Sequence, residues 1–149
     1  PKTGTVELGR LFQELREERL EDPAGRLDWP TWSQQPAVLS DGALLRAALG
    51  ELIHNALSHG KGPVTVACHE RDREVSIEVS DHGPPLNDAQ VAVLVAGGPP
   101  QRAQTTVGFG LRAVAAYAHA LGVRVVCSLR PGGGNIVVLG PFQSVQSSR

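Results

Sequence analysis

The chain has 149 residues, enough for one domain with a real core. With 41% hydrophobic and 19% charged residues it has an ordinary globular composition, and a formal net charge of -1 argues against a nucleic-acid or membrane-surface partner. Three Phe, two Trp and one Tyr leave the core to Leu, Val, Ala and Ile.

Val6 to Leu20 reads as an amphipathic helix. Val6, Leu8, Leu11, Phe12, Leu15 and Leu20 are its apolar positions, and Glu14, Glu17 and Glu18 interleave with Arg16 and Arg19 on a solvated face. Asp22-Pro23-Ala24-Gly25 breaks it. Arg26 to Trp29 is a candidate edge strand ended by Pro30. Ser40-Asp41 then supplies an N-cap pair for a second helix, whose stripe is Leu44, Leu45, Ala48, Leu49, Leu52, Ile53, Ala56 and Leu57. Gly60, Gly62 and Pro63 stop it. Glu51 and Asn55 are four apart and share one face. A carboxylate and an amide there either hold a hydrated divalent cation with the phosphates it bridges, or are simply a polar helix face.

Pro63 to Glu70 and Glu74 to Ser80 alternate as strands across Arg71-Asp72-Arg73, which predicts an antiparallel hairpin. The second strand runs into Asp81-His82-Gly83-Pro84-Pro85. Gly83 to Thr106 is irregular apart from an apolar stretch, Ala89 to Ala96, and Gly97-Gly98-Pro99-Pro100 is a breaker cluster. Gly110 to Leu121 is a third helix, entered through Thr105-Thr106-Val107-Gly108-Phe109 and ended by Gly122. Val123 to Leu129 and Asn135 to Leu139 form a second hairpin, linked by Arg130-Pro131-Gly132-Gly133-Gly134, and Gln143 to Arg149 reads as a frayed tail. Three or four strands with three helices predict an α+β, two-layer sandwich: a mixed sheet covered by helices on one face.

Cys68 and Cys127 lie in strand-like runs with no metal or disulfide pattern, as buried thiols in a reducing compartment would. No signal peptide or membrane span is evident. A chain that starts at Pro1 and contains no Met reads as an excised domain.

Two further segments carry chemistry. Asp81 is acceptor-only when ionised and suits the exocyclic amino group of adenine, with Gly83 letting backbone approach the base; Asp-x-Gly-Pro is equally a common turn. Gly108-Phe109-Gly110 at a helix entry can form an anion site from backbone N–H groups, or be a plain helix start. Thr105 and Thr106 either donate hydroxyls to phosphate or cap the helix.

The order of these segments carries more than any one of them. A helix with Glu51 and Asn55, a strand ending in Asp81-His82-Gly83, a variable loop, and Gly108-Phe109-Gly110-Leu111 entering a helix resemble the ATP-binding (Bergerat-type) domain of the GHKL superfamily. That superfamily comprises gyrase, heat-shock chaperones, histidine kinases and mismatch-repair ATPases. Size and flanks look most like the catalytic domain of a bacterial sensor histidine kinase, over nearly the whole chain. The resemblance implies ATP and Mg²⁺ as ligands, with Asn55 on the metal and Asp81 and Gly83 at the base. His59, Thr105, Thr106, Gly108, Phe109, Gly110 and Leu111 fall around the phosphates, and Glu51 is the catalytic candidate. His54 reads as a polar residue at a helix end, and Arg112 as a phosphate partner or a surface ion pair.

The resemblance further implies transfer of the γ-phosphate to a histidine on a separate dimerisation hairpin, and relay to a response regulator. None of His54, His59, His69, His82 or His119 has the setting of that acceptor. Residues 1–25 would then be a helix and connection from the upstream hairpin, 26–142 the ATP-binding domain and 143–149 a tail. The domain would be cytoplasmic without membrane contact of its own, in a parent whose anchoring is open. Four features depart from the family pattern: Pro85 replaces a glycine, Ser58 a basic residue and Arg112 a glycine, and the segment after Leu86 lacks aromatic residues. An anti-sigma-factor-type serine kinase, or a module that kept the fold and lost catalysis, are the competing readings.

Overall fold

The computed structural model describes residues 2–18, 25–60, 62–96 and 109–145. Strand β1 (Gly4–Glu7) leads into helix α1 (Leu8–Glu18). Strand β2 (Leu27–Asp28), a 3-10 turn (Trp32–Gln34) and β3 (Ala37–Ser40) precede helix α2 (Gly42–His59). The hairpin of β4 (Val64–Arg71) and β5 (Glu74–Asp81) follows, then α3 (Asp88–Ala96), α4 (Phe109–Leu121), β6 (Arg124–Leu129) and β7 (Asn135–Val145).

The strands form one sheet in the order β1-β3-β7-β5-β4-β2, with β6 also paired to β7. Only the short β2–β4 pairing is parallel, so the sheet is mixed. β7 pairs through Asn135–Gly140 with β6 and through Gln143–Val145 with β3, while β5 runs along its other side. The period of two decides which face is inward. Val75, Ile77 and Val79 of β5 are buried, whereas Ser76, Glu78 and Ser80 between them are half-exposed. The inward residues share one core with Leu8, Leu11, Phe12 and Leu15 of α1, the Leu45-to-Ala56 stripe of α2, and Leu111, Val114 and Ala118 of α4. Each fully buried Leu or Ile there contributes about 1.5–3 kcal/mol over an exposed one. Phe12, Trp29 and Trp32 extend that core as a tilted stack, with centroids 6.0 and 5.7 Å apart.

The α+β two-layer architecture expected from the sequence is the one that forms, with more strands than the three or four foreseen. Val6 belongs to β1 and pairs with Val38, because a four-residue segment with one apolar side chain fits either period. Residues 4–18 are therefore built into the sheet and core of the domain, and do not form a separate connection. Gln143, Ser144 and Val145 are likewise not a tail: they pair with Leu39, Val38 and Ala37. The apolar stretch before the breaker cluster is helix α3, packed against α4 and β6. Its start is a reciprocal pair, Gln90 N to Asn87 Oδ1 and Asn87 N to Gln90 Oε1, both 2.9 Å. Cys68 and Cys127 are half-buried; burial pushes the Cys68 thiol up to about 12, and burial, then the charge of Asp81, raises Cys127.

The two ends of α2 are set by different means. At its start Asp41 Oδ1 accepts from Leu44 N at 3.1 Å, and Oδ2 from Lys2 N at 2.6 Å. The Leu44 amide first, then that of Lys2, holds the Asp41 carboxyl below its usual 3.8. A lowered folded-state pKa gives stability that is complete above the unfolded value and is lost as pH falls through the folded one. Asp41→Ala should thus lower the unfolding temperature at about pH 7 and cost progressively less below about pH 4. Thermal unfolding across that range checks it, and an equal deficit at about pH 3 and pH 7 would contradict it.

At the other end α2 stops at His59 as expected, but not through a left-handed glycine. Gly60 is extended, with φ -160°. Arg26 ties the end of the helix to the loop beyond it: its guanidinium donates to Leu57 O of α2 at 2.9 Å, to Gly62 O at 3.0 Å and to Gly60 O.

Candidate functional site

Strand β5 delivers Asp81 to the sheet's end, where it is 6% exposed. Its Oδ1 accepts two hydrogen bonds, from Gly83 N at 2.8 Å and from Asn135 Nδ2 at 3.1 Å. Among the described residues no donor reaches Oδ2. One oxygen is saturated by the protein and the other is left for a donor from elsewhere.

Asn135 is the residue that sequence reasoning missed. It opens β7 directly opposite Asp81 in the ladder and is 1% exposed. Its Nδ2 also donates to Pro84 O at 2.9 Å, and its Oδ1 accepts from Leu86 N at 2.8 Å. The available signal was a polar residue after three glycines at a strand start. Reading it required pairing the two hairpins with each other across 54 residues.

The Asp81-His82-Gly83 segment is gripped from two sides. A Cβ on Gly134, at φ +113°, would lie 1.9 Å from the Asp81 carbonyl oxygen. A Cβ on Gly60 would lie 2.7 Å from Gly83 Cα, so the turn after α2 abuts the far side. Arg130, beside the glycine turn, lies 3.0 Å from His82 Nδ1 through its Nη1. Arginine only donates, so Nδ1 is the acceptor.

Glu51 and Asn55 stand on α2 as their spacing predicts. Both line a cleft with Arg46, Gly50 and His54 of the same helix and Tyr117 of α4. Arg46 pairs with Glu18 of α1 at one side of it. Asn55 Nδ2 is buried without a partner among the described residues, as is Arg112 Nε. No hydrogen bond between described residues joins the Glu51–Asn55 pair to Asp81. Leu111 is buried in the core, 3% exposed, at the start of α4. His59 ends α2, and Phe109 and Gly110 open α4, but their side chains are outside the described set. Thr105, Thr106 and Gly108 lie outside the described residues. Glu51 and Asn55 thus share one cleft wall and Asp81 stands at a strand end, as their positions in the sequence predict, and the structure adds Asn135, Gly134 and Gly60 around Asp81.

Among the described residues no group of three or more His, Cys, Asp or Glu assembles into a metal cage. No described helix is long and apolar enough to cross a membrane.

A mixed sheet with helices packed against it makes this an α+β domain. The chain belongs to the family of histidine kinase-, DNA gyrase B- and HSP90-like ATPases, whose model matches residues 40–144. It is 34% identical over 93 residues to the sensor histidine kinase component HK1 of Mycobacterium tuberculosis (strain H37Rv), covering 60% of this chain and 55% of that protein. A probable sensor histidine kinase HK of Mycobacterium tuberculosis (strain CDC 1551) shows 34% identity over 93 residues, covering 60% of this chain and 25% of its own length. The match therefore spans about half of one curated relative and a quarter of the other. The ATP-binding domain of PrrB from Mycobacterium tuberculosis superposes with a TM-score of 0.75 at 20% identity, over 98% of this chain and all of that one. Full-length ShkA, solved with AMPPNP, gives a TM-score of 0.77 at 22% identity, over 98% of this chain and 32% of that one. These structural likenesses carry the fold.

Proposed function

We propose that this chain is the ATP-binding catalytic domain of a sensor histidine kinase. The observation that carries the reading is Asp81, with Oδ1 saturated and Oδ2 without a donor among the described residues. An ionised carboxylate oxygen in that state calls for an N–H donor, and the 6-amino group of adenine is one. A base with a carbonyl at that place meets acceptor against acceptor. Family membership and the printed names of the relatives support the same direction.

The phosphates fall toward α2 and the start of α4, where backbone N–H groups at Phe109, Gly110 and Leu111 are free of intrahelical partners by their position in the first turn. His59 and, outside the described residues, Thr105, Thr106 and Gly108 are proposed as further phosphate contacts. Asn55 and Glu51 fit a hydrated Mg²⁺, because the ion takes oxygen ligands, usually keeps several waters and needs only one or two protein side chains beside the phosphates. The orphaned Nδ2 of Asn55 is a donor and would suit a phosphate oxygen, while its Oδ1 would be the atom available to the ion. Bound there, Mg²⁺ would supply neutralisation of phosphate charge. Glu51, on the same cleft wall, is assigned to orienting the acceptor side chain or a water.

The acceptor is a histidine on a helical hairpin outside this chain, and the phosphoryl group passes on to a response regulator. The parent is proposed to work in the cytoplasm. The test is a transfer assay with ATP, this domain and its own upstream hairpin. An acid-labile phosphoprotein is expected, with Glu51→Gln slowing transfer more than it weakens ATP binding, the pattern of an interaction acting mainly in the transition state. An acid-stable product on a protein partner would instead identify a serine kinase. No product with any partner would identify a binding module without catalysis.

A further inference from the structure

We propose that Asn135 is a positioning residue for base selection: together with the Gly83 N–H it fixes which oxygen of Asp81 is offered to the purine, and it ties that choice to the footing of the segment leading into α3. The inference rests on the reading of Asp81 as the base-recognising group.

The side-chain amide of asparagine has two N–H donors and one carbonyl acceptor. Here all are engaged by protein: one N–H with Asp81 Oδ1, the other with Pro84 O, and the carbonyl with Leu86 N. The amide orientation follows from its partners. Turned over, its oxygen would face the carboxylate and the Pro84 carbonyl, and its NH₂ would face the Leu86 N–H, placing like against like at every contact. With its donors and acceptor so engaged at 1% exposure, Asn135 acts through Asp81 and not by touching a ligand.

The sequence explains why this side chain carries the footing. Pro84 and Pro85 have no N–H, so after Gly83 the next backbone donor is Leu86. That donor is bound by Asn135, and the next residue, Asn87, forms the reciprocal pair with Gln90 that starts α3. One buried side-chain amide thus links Asp81, which Gly83 N also holds, to the foot of this leg. A purine amino group bound at Oδ2 would pull on the same carboxylate whose Oδ1 is held by Asn135. Base recognition and the order of the leg would then rise and fall together.

The experiment compares ATP with purine riboside 5′-triphosphate, which lacks the 6-amino group, on the 149-residue chain. The unaltered chain should bind ATP about tenfold or more tightly than the analogue, the worth of one hydrogen bond to a charged group. Asn135→Ala should bring the two within about threefold, by weakening ATP while the analogue changes little. A general loss of packing would weaken both alike. A second measurement needs no substitution: at saturation ATP should slow exchange of the Leu86 amide more than the analogue does. Asn135→Ala retaining the full preference for ATP overturns the proposal, as does equal protection of Leu86 by both nucleotides. Should the variant not fold, the exchange comparison decides alone. Equal binding of the two nucleotides by the unaltered chain removes the base reading of Asp81 itself, and this proposal with it.

Discussion

Asp81→Asn should turn the base preference of the domain around. The position of Oδ1 receives two N–H donors, from Gly83 and from Asn135. In the variant the new carbonyl oxygen must take that place, because the alternative sets an NH₂ against two donors. The NH₂ is then left where Oδ2 stood, facing the adenine amino group donor to donor. Loss of a hydrogen bond to a charged group should weaken ATP by about 10- to 100-fold. Inosine triphosphate, with a carbonyl at the same ring position, meets a donor in the variant and should bind at least as well as before. Competition between the two nucleotides measures the change directly. Undiminished ATP affinity in Asp81→Asn would show that the aspartate does not read the base.

The second large effect is expected at Gly134. Alanine there would place its Cβ 1.9 Å from the Asp81 carbonyl oxygen and 2.9 Å from His82 Cα, at φ +113°. Backbone strain of this kind costs on the order of 1–3 kcal/mol, and the overlap adds to it because neither atom is the end of a flexible side chain. Gly134→Ala should lower the unfolding temperature by roughly 5–10 °C in a domain of this size. ATP binding should suffer as well, since the atoms displaced carry Asp81. The control is two residues away in the same turn. Gly132 also has positive φ, +87°, but a Cβ there meets nothing within 4 Å, so Gly132→Ala should show the backbone cost alone. Equal effects of the two substitutions would mean that contact with the Asp81 segment is unimportant.

Much of this was legible where a local period or cap sufficed. The β4–β5 and β6–β7 hairpins follow from alternation about short polar or glycine turns, and α2 from its stripe and from Asp41. The pairing of Glu51 with Asn55 on one wall needs only helical geometry. What was not legible depends on partners distant in the chain. The strand character of Gly4–Glu7 comes from β3, and that of Gln143–Val145 from the other edge of the same strand. In both places the local residues are too few or too polar to declare a strand. Arg26, 31 to 36 positions away, bonds Leu57 O of α2 and the carbonyls of Gly60 and Gly62 beyond it, and Gly60 caps the helix in an extended rather than a left-handed conformation. Asn135 was hidden for a related reason. As the first residue of a strand after a glycine-rich turn it carries no sign of a partner, and only the β5–β7 ladder sets it against Asp81. Pro85, read from the sequence only as a departure from the family pattern, acquires its physical meaning once Leu86 N is seen to bond Asn135.

The most direct test of the account is a calorimetric titration of the 149-residue chain with ATP, in Mg²⁺ and in chelator, with inosine triphosphate alongside. Saturable one-to-one binding of ATP, stronger with Mg²⁺ and distinctly weaker for inosine triphosphate, is the predicted result. Absence of ATP binding up to about millimolar concentration, the upper end of ordinary substrate affinities, or equal affinity for the two bases, would contradict it.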